Sequence, residues 1–357
     1  HAVLAAQRTL CDFTGIVLVM FADTPLVTAA TLIDLSATVR DGADIAVLGF
    51  TATDPTGYGR LVTDADGGLI KIVEENDTDT TERDITLVNG GVMAARAELL
   101  FDLLAKATPD NSKGEIYLTN IVERASHSNL KVVYNLTSES EIAGVNDRHD
   151  LAFIESVVQN RLRAQAMQNG VTMQAPETVF LSADVTFGRD VILEPHVVIT
   201  GSATIGEGSV IRAFTHIDGA VLGPCCIIGP FARLRPGTIL QDGVKIGNFV
   251  ETKNAKIGVG SKVNHLTYLG DTTVGQDVNV GAGTITCNYD GFGKFRTLIG
   301  DGASIGSNTA LVAPVTIGTG AIIGAGSTIT TDVPENAIAT TRSALDVRHD
   351  AATRYRL

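Results

Sequence analysis

At 357 residues the chain has room for two domains, and 44% hydrophobic against 19% charged residues lets each bury a core. A net charge of −13 argues against nucleic acid or an anionic membrane as partner, because no basic stripe is available to release phosphate counterions. Any phosphate must be met locally, by a few placed Lys and Arg residues. The longest apolar runs, such as Gly15 to Ala22, are too short to span a bilayer. No signal peptide is read at the opening, and the four cysteines form no C-x-x-C pair, which fits reduced thiols in a cytoplasmic protein.

The chain opens on His1 inside a helical pattern (Ala2 to Ala6), which reads as a fragment lacking its natural N-terminus. Gly15 to Phe21 reads as a buried strand ending at Ala22-Asp23, followed by a helical run through Leu32, Leu35 and Val39. Asp44 to Phe50 is a second strand, and Leu61 to Val73 a hairpin turning at Asp66-Gly67-Gly68. Helical patterns recur near Leu99–Leu104 and Ile116–Arg124, and Val132–Leu136 is a further strand. This alternation predicts an α/β domain over residues 1–148 with a mostly parallel sheet. Leu151, Ile154, Val158 and Leu162 then step along one helix face up to the stop signal Gly170, giving a linker helix over 149–170.

From residue 171 to 340 the pattern changes. Twelve aliphatic- or Phe-Gly pairs, from Phe187-Gly188 to Ile323-Gly324, fall at many separations of six or eighteen. A six-residue period predicts a parallel β-helix of hexapeptide repeats, three to a triangular coil, with each aliphatic pointing inward. Residues 341–357 form a C-terminal tail. The gaps from 206 to 222 and from 281 to 299 leave the grid, as corners or loops. Arg235, Glu251, Lys253, His265 and Asn279 are separated by about one coil or by two residues, so they can gather on one side. Arg235, Lys253 and Lys294 in an acidic protein suggest an anionic substrate. His196 and His216 read as surface residues, Cys287 as packing, and Asn279 and Asn288 also suit left-handed turn positions. A purely structural β-helix would keep regular faces, and a zinc-dependent hydratase would need converging histidines that the spacing does not support.

The strings R-L-R-P-G, G-N-F-V-E-T-K, H-L-T-Y-L-G-D and G-A-G-T-I-T-C-N-Y-D-G resemble the bacterial family of bifunctional N-acetylglucosamine-1-phosphate uridyltransferase / glucosamine-1-phosphate N-acetyltransferase enzymes. F-A-D-T-P-L-V, D-P-T-G-Y-G-R, I-V-E-E, V-N-G-G and G-V-N-D-R extend the likeness through the first half. The resemblance implies an N-terminally incomplete, nucleotidyltransferase-like (Rossmann-like) α/β domain, a linker helix and a left-handed parallel β-helix. It implies acetyl transfer from acetyl-CoA to glucosamine-1-phosphate in a homotrimer whose sites are built by neighbouring subunits. His265 would be the general base, with Glu251 orienting it, and Asn288 with the Tyr289 N–H would stabilise the oxyanion. Arg235, Lys253, Tyr268, Asn279 and Lys294 would hold the sugar phosphate; Ala282, Ser307, Ala325 and Arg342 would hold acetyl-CoA. In the first half Asp23 and Asn146 would bind Mg²⁺, and Gly59, Glu74 and Asn89 would join them around UDP-N-acetylglucosamine formed from UTP. The family's phosphate-cradling Gly-rich loop is expected upstream of His1, so uridylyl transfer is expected to be lost. The alternative is a sugar nucleotidylyltransferase whose β-helix is regulatory.

Overall fold

The computed structural model describes residues 2–107, 116–343, 345, 347–349 and 351, so much of the expected tail over 341–357 lies outside the described residues. The chain divides into two compact units, residues 1–158 and 159–357. The helix Arg148–Gln168 carries the chain from one unit to the other, and Gly170 follows it at φ +97°.

In the first unit six strands form one sheet, ordered Leu69–Val73, Arg60–Thr63, Leu87–Arg96, Ile45–Thr51 and Val132–Leu136, with Ile16–Val19 also paired to Leu87–Arg96. The expectation of a mostly parallel sheet is corrected here. The ten-residue strand Leu87–Arg96 runs antiparallel to all three of its neighbours, and only Ile45–Thr51 with Val132–Leu136 is parallel. A long strand that receives its neighbours from both sides can set their direction without crossover helices. The first strand is also shorter than expected and half-buried, because it pairs with one neighbour only; Phe21 lies outside it, 52% exposed. The helix expected from Ile116 begins at Asn120. Along Ile45–Thr51 successive side chains alternate between two cores: Ile45 and Val47 pack with Leu100 and Ile121, while Ala46, Leu48 and Phe50 pack with Leu35 and Val39.

The second unit is a parallel β-solenoid. Strand registers place Ile192 opposite Val210, Val210 opposite Ile227 and Ile227 opposite Lys245, steps of 18, 17 and 18 residues. The gap from 206 to 222 is therefore no excursion: Ile205 sits opposite Leu222, and the coil is one residue shorter. The gap from 281 to 299 does hold one, since Asn279 lies opposite Ser304, a step of 25. Leu193, Ile211, Ile228, Ile246, Val263, Val280, Ile305 and Ile323 stack as one buried column. Each such side chain stabilises the coil by about 1.5–3 kcal/mol.

Two corners of the coil differ in chemistry. At the first, His196, Phe214, Phe231, Phe249, Leu266, Gly283, Asn308 and Gly326 all take left-handed backbone, φ +50° to +74°. The rings of the first four stack at centroid distances of 4.8, 4.9 and 5.3 Å. At the second, Gly201, Gly219 and Gly237 are followed in later coils by Asn254 and Asp271, at φ +46° and +49°. There the strands Glu251–Ile257 and Tyr268–Val274 run on through the corner instead of breaking at a glycine. The lower end of the solenoid is closed by the helix: Gln159 accepts the N–H of Leu181 (2.9 Å) and donates to its carbonyl (2.8 Å), while Arg163 donates to the Val179 carbonyl (2.9 Å).

Candidate active site

Between those two corners lies a narrow face whose side chains alternate inward and outward, as a strand requires. Leu234, Thr252, Leu269 and Thr286 are buried. Parallel pairing stacks Arg233, Glu251, Tyr268 and Ile285 in one outward column, and sets Lys253 beside Gly270 in the next. Arg235 Nη1 donates to Glu251 Oε1 at 2.9 Å. The Lys294 ammonium beside Lys253 holds the Lys253 pKa below its usual range. Two like charges held together in an acidic protein make a site for an anion.

Gly270 explains how so many groups converge. A Cβ added there would stand 2.3 Å from the Tyr268 hydroxyl and 2.7 Å from Asn288 Nδ2, so both side chains fold into the space that glycine leaves. Asn288 Nδ2 donates to Asp271 Oδ2 at 2.5 Å, and Asn254 Nδ2 donates to Asp271 Oδ1 at 2.7 Å. Burial works to raise the Asp271 pKa, but these two amide donors, with Lys253 and Lys294 beyond them, hold it below the usual carboxylate range.

The extra residues of the long coil form an excursion rooted at Asn288, whose carbonyl accepts the Phe295 N–H (2.9 Å). Tyr289 and Lys294 face one another as an antiparallel bridge between that bond and a second from Asp290 N–H to the Gly293 carbonyl (3.4 Å). In such a pair the N–H of Tyr289 points away from Lys294, which leaves it free to meet a ligand.

His265 sits just before the aromatic corner, exposed, with Nδ1 2.7 Å from Asn248 Oδ1. A carboxamide oxygen accepts, so Nδ1 carries the hydrogen and Nε2 is left as the basic nitrogen. The resemblance had placed Glu251 against this imidazole. In the structure the left-handed corner at Phe249 lies between Asn248 and Glu251, so the asparagine meets His265 and the carboxylate turns to Arg235.

Above His265 the same corner continues through Ala282, Ser307 and Ala325. The His265 carbonyl accepts from Gly283, Ala282 from Asn308 and Ser307 from Gly326, at 3.2, 2.7 and 2.8 Å. Arg342 runs beside this column: Cβ positions built on Gly324 and Gly326 lie 3.4 Å from Arg342 Nη2 and 3.8 Å from Arg342 Cδ. Asn279 stands apart. It is paired with Lys262, three residues before His265 and so about 10 Å along the strand.

Residue-by-residue reading had not singled out Asn248, Asn254 or Asp271. The signal was present in the spacing: Asn248 lies 17 residues before His265, and Asn254, Asp271 and Asn288 are also spaced by 17, the length of these coils.

The first unit holds a separate cavity of about 360 Å³ lined by Gly59, Glu74 and Asn89 together with Phe21, Tyr58 and Thr119. Glu74 Oε1 accepts from the Thr119 hydroxyl at 2.9 Å. Asp23 and Asn146 lie on segments tied by the Val145 N–H to the Asp23 carbonyl (2.8 Å). A carboxylate and a carboxamide oxygen fit a hard cation that keeps several of its waters. Among the described residues no helix is long and apolar enough to cross a membrane.

Residues 296–331 match the family described as bacterial transferase hexapeptide (six repeats). The bifunctional protein GlmU of Azorhizobium caulinodans is 53% identical over 356 residues, covering 100% of this chain and 79% of the relative. That of Xanthobacter autotrophicus is also 53% identical over 356 residues, with the same coverage. That of Zymomonas mobilis is 49% identical over 345 residues, covering 96% of this chain and 77% of the relative.

Proposed function

The chain belongs to the family of the bifunctional protein GlmU, and from that we propose that its solenoid transfers an acetyl group from acetyl-CoA to the 2-amino group of glucosamine-1-phosphate. The observation that carries the reading is the exposed imidazole of His265, held at Nδ1 by Asn248, at the edge of a face bearing Arg235, Lys253 and Lys294. The amine attacks the thioester carbon, and His265 Nε2 takes its proton. The Tyr289 N–H and the Asn288 amide meet the oxyanion as the C–N bond forms. When the C–S bond breaks, the proton passes to the departing thiolate. Arg235, Lys253 and Lys294 hold the phosphate, with the Tyr268 hydroxyl beside them, and Glu251 orients Arg235.

Acetyl-CoA follows the small residues of the upper corner, Ala282, Ser307 and Ala325, with Arg342 toward its phosphates. A homotrimer suits this arrangement, because His265 is exposed on its own coil and Asn279 stands clear of it; we assign Asn279 to the site of a neighbouring copy. In the first unit, the cavity at Gly59, Glu74 and Asn89 would take UDP-N-acetylglucosamine, with Asp23 and Asn146 holding Mg²⁺. When bound, that ion offsets the charge of the phosphates. We place the protein in the cytoplasm.

The test is release of free CoA thiol from acetyl-CoA and glucosamine-1-phosphate. His265→Ala is expected to lower turnover by about 10²–10⁴-fold, as loss of a general base does. A wild-type chain with no turnover would favour a nucleotidyltransferase whose solenoid is regulatory.

A further inference from the structure

The second corner of the solenoid changes character where the chemistry lies. In the lower coils its left-handed positions are Gly201, with Ser202 beside it, then Gly219 and Gly237, and the glycines take this conformation without strain. In the next coils the same position is Asn254 and then Asp271, at φ +46° and +49°. A non-glycine residue costs about 1–2 kcal/mol there, though Asn and Asp tolerate it best. Their side chains meet: the exposed Asn254 donates to Asp271, whose carboxylate turns inward. Asp271 is 9% exposed and Asn288 7%, and the three form a chain of hydrogen bonds, Asn254 to Asp271 to Asn288, across successive coils.

The corner itself does not require this ladder, since glycine closes it in the coils below. What the ladder fixes is Asn288. That residue's amide lies over Gly270 beside the Tyr268 hydroxyl, and its carbonyl anchors the excursion carrying Tyr289 and Lys294. A carboxamide can rotate end for end, exchanging donor for acceptor. A buried carboxylate accepts only, so it permits one orientation.

We propose that Asp271 is a positioning residue of acetyl transfer: by accepting from Asn288 Nδ2 it locks the Asn288 amide, and with it the root of the 289–294 excursion, in the orientation the reaction uses. The inference rests on the acetyl-transfer reading. Asn254 serves Asp271 from the opposite side. Lys253 and Lys294 favour the carboxylate form, so the acceptor keeps its charge.

Asp271→Asn is the test, because Asn254 shows that an asparagine holds this corner at nearly the same φ. The variant replaces one of two acceptors by a donor, and Asn288 gains a reason to turn round. The thiol-release assay is expected to show kcat reduced by about 10–100-fold, a larger change than in the KM for glucosamine-1-phosphate, since Arg235 and Lys253 lie outside the excursion and keep their places while Lys294 shifts with it. In an Asn288→Ala background the same substitution is expected to have little further effect, because a residue acting through another loses its influence when that one is gone.

Equal losses in both backgrounds would overturn the proposal, as would wild-type kcat in Asp271→Asn. If Asp271→Asn does not fold, Asn254→Gly, which restores the corner of the lower coils, is read in its place: a fall in kcat of about threefold or more with KM unchanged supports the ladder, and no change overturns it. A wild-type chain that releases no thiol removes the acetyl-transfer reading and this inference with it, an outcome distinct from an active wild type beside an equally active Asp271→Asn.

Discussion

The aromatic corner and the polar corner stand on the same core and turn the same chain, yet they solve the turn differently. At the aromatic corner, Phe214, Phe231 and Phe249 accept left-handed backbone and recover some of its cost by stacking, outward, on one another. At the polar corner, glycine serves the turn in the lower coils, and Asn254 and Asp271 take on the cost where their side chains bond to one another and on to the buried Asn288. One corner is therefore repetitive over four coils, the other changes abruptly at one coil. The teaching is that departures from the cheapest turn residue mark where a solenoid does chemistry. Regular repetition of an unfavourable residue marks mutual packing instead.

Gly270→Ala should cost the most activity. The new methyl would stand 2.3 Å from the Tyr268 hydroxyl, the movable end of a side chain. The fold should survive and acetyl transfer should fall by about 10²-fold, because displacement of binding groups by an ångström costs that much. Near-wild-type turnover in the thiol assay would mean the crowded polar corner is not part of the site.

A smaller effect sharpens the contrast within the aromatic corner, which turns small above His265. Ala325→Phe puts a ring into the column of small residues above His265 and should raise the acetyl-CoA KM about tenfold, near 1.4 kcal/mol, leaving the KM for glucosamine-1-phosphate alone. The smallest effect is expected from Phe231→Gly. It removes two ring stacks, each worth about 0.5–1.5 kcal/mol, and relieves one left-handed residue at about 1–2 kcal/mol. Glycine's added unfolded-state freedom costs a further 0.5–1 kcal/mol, roughly. Chemical denaturation should register a net loss near 1 kcal/mol, roughly, with kcat unchanged. A loss of activity there would join the two corners functionally.

Much of this was legible in the sequence. Ile246, Val280, Ile305 and Ile323 announced the solenoid because an interior closed on three sides is filled mainly by aliphatics, so the period survives in the letters. Arg235, Glu251 and Lys253 could be grouped because coil length converts sequence spacing into adjacency, whereas Asn279, grouped with them by the same spacing, stands apart. What spacing does not carry is which way a side chain turns at a corner. Asn248 is in register with His265 and meets the imidazole, while Glu251, paired with Tyr268 beyond the left-handed Phe249, turns its carboxylate to Arg235. The sheet direction in the first unit failed for a different reason. The central strand Leu87–Arg96, with Asn89, Gly90 and Gly91 inside it, does not read as a strand in the sequence, and it is the one that sets its neighbours antiparallel.

The cap that Gln159 and Arg163 place on the first coil has a consequence for assembly. The Gln159 carboxamide offers Leu181 the same donor and acceptor that a peptide unit of a preceding coil would offer. Strand addition, the route by which open sheet edges recruit other chains into fibres, finds those sockets already filled. At Leu181, end-on addition of another chain meets a side chain imitating the backbone.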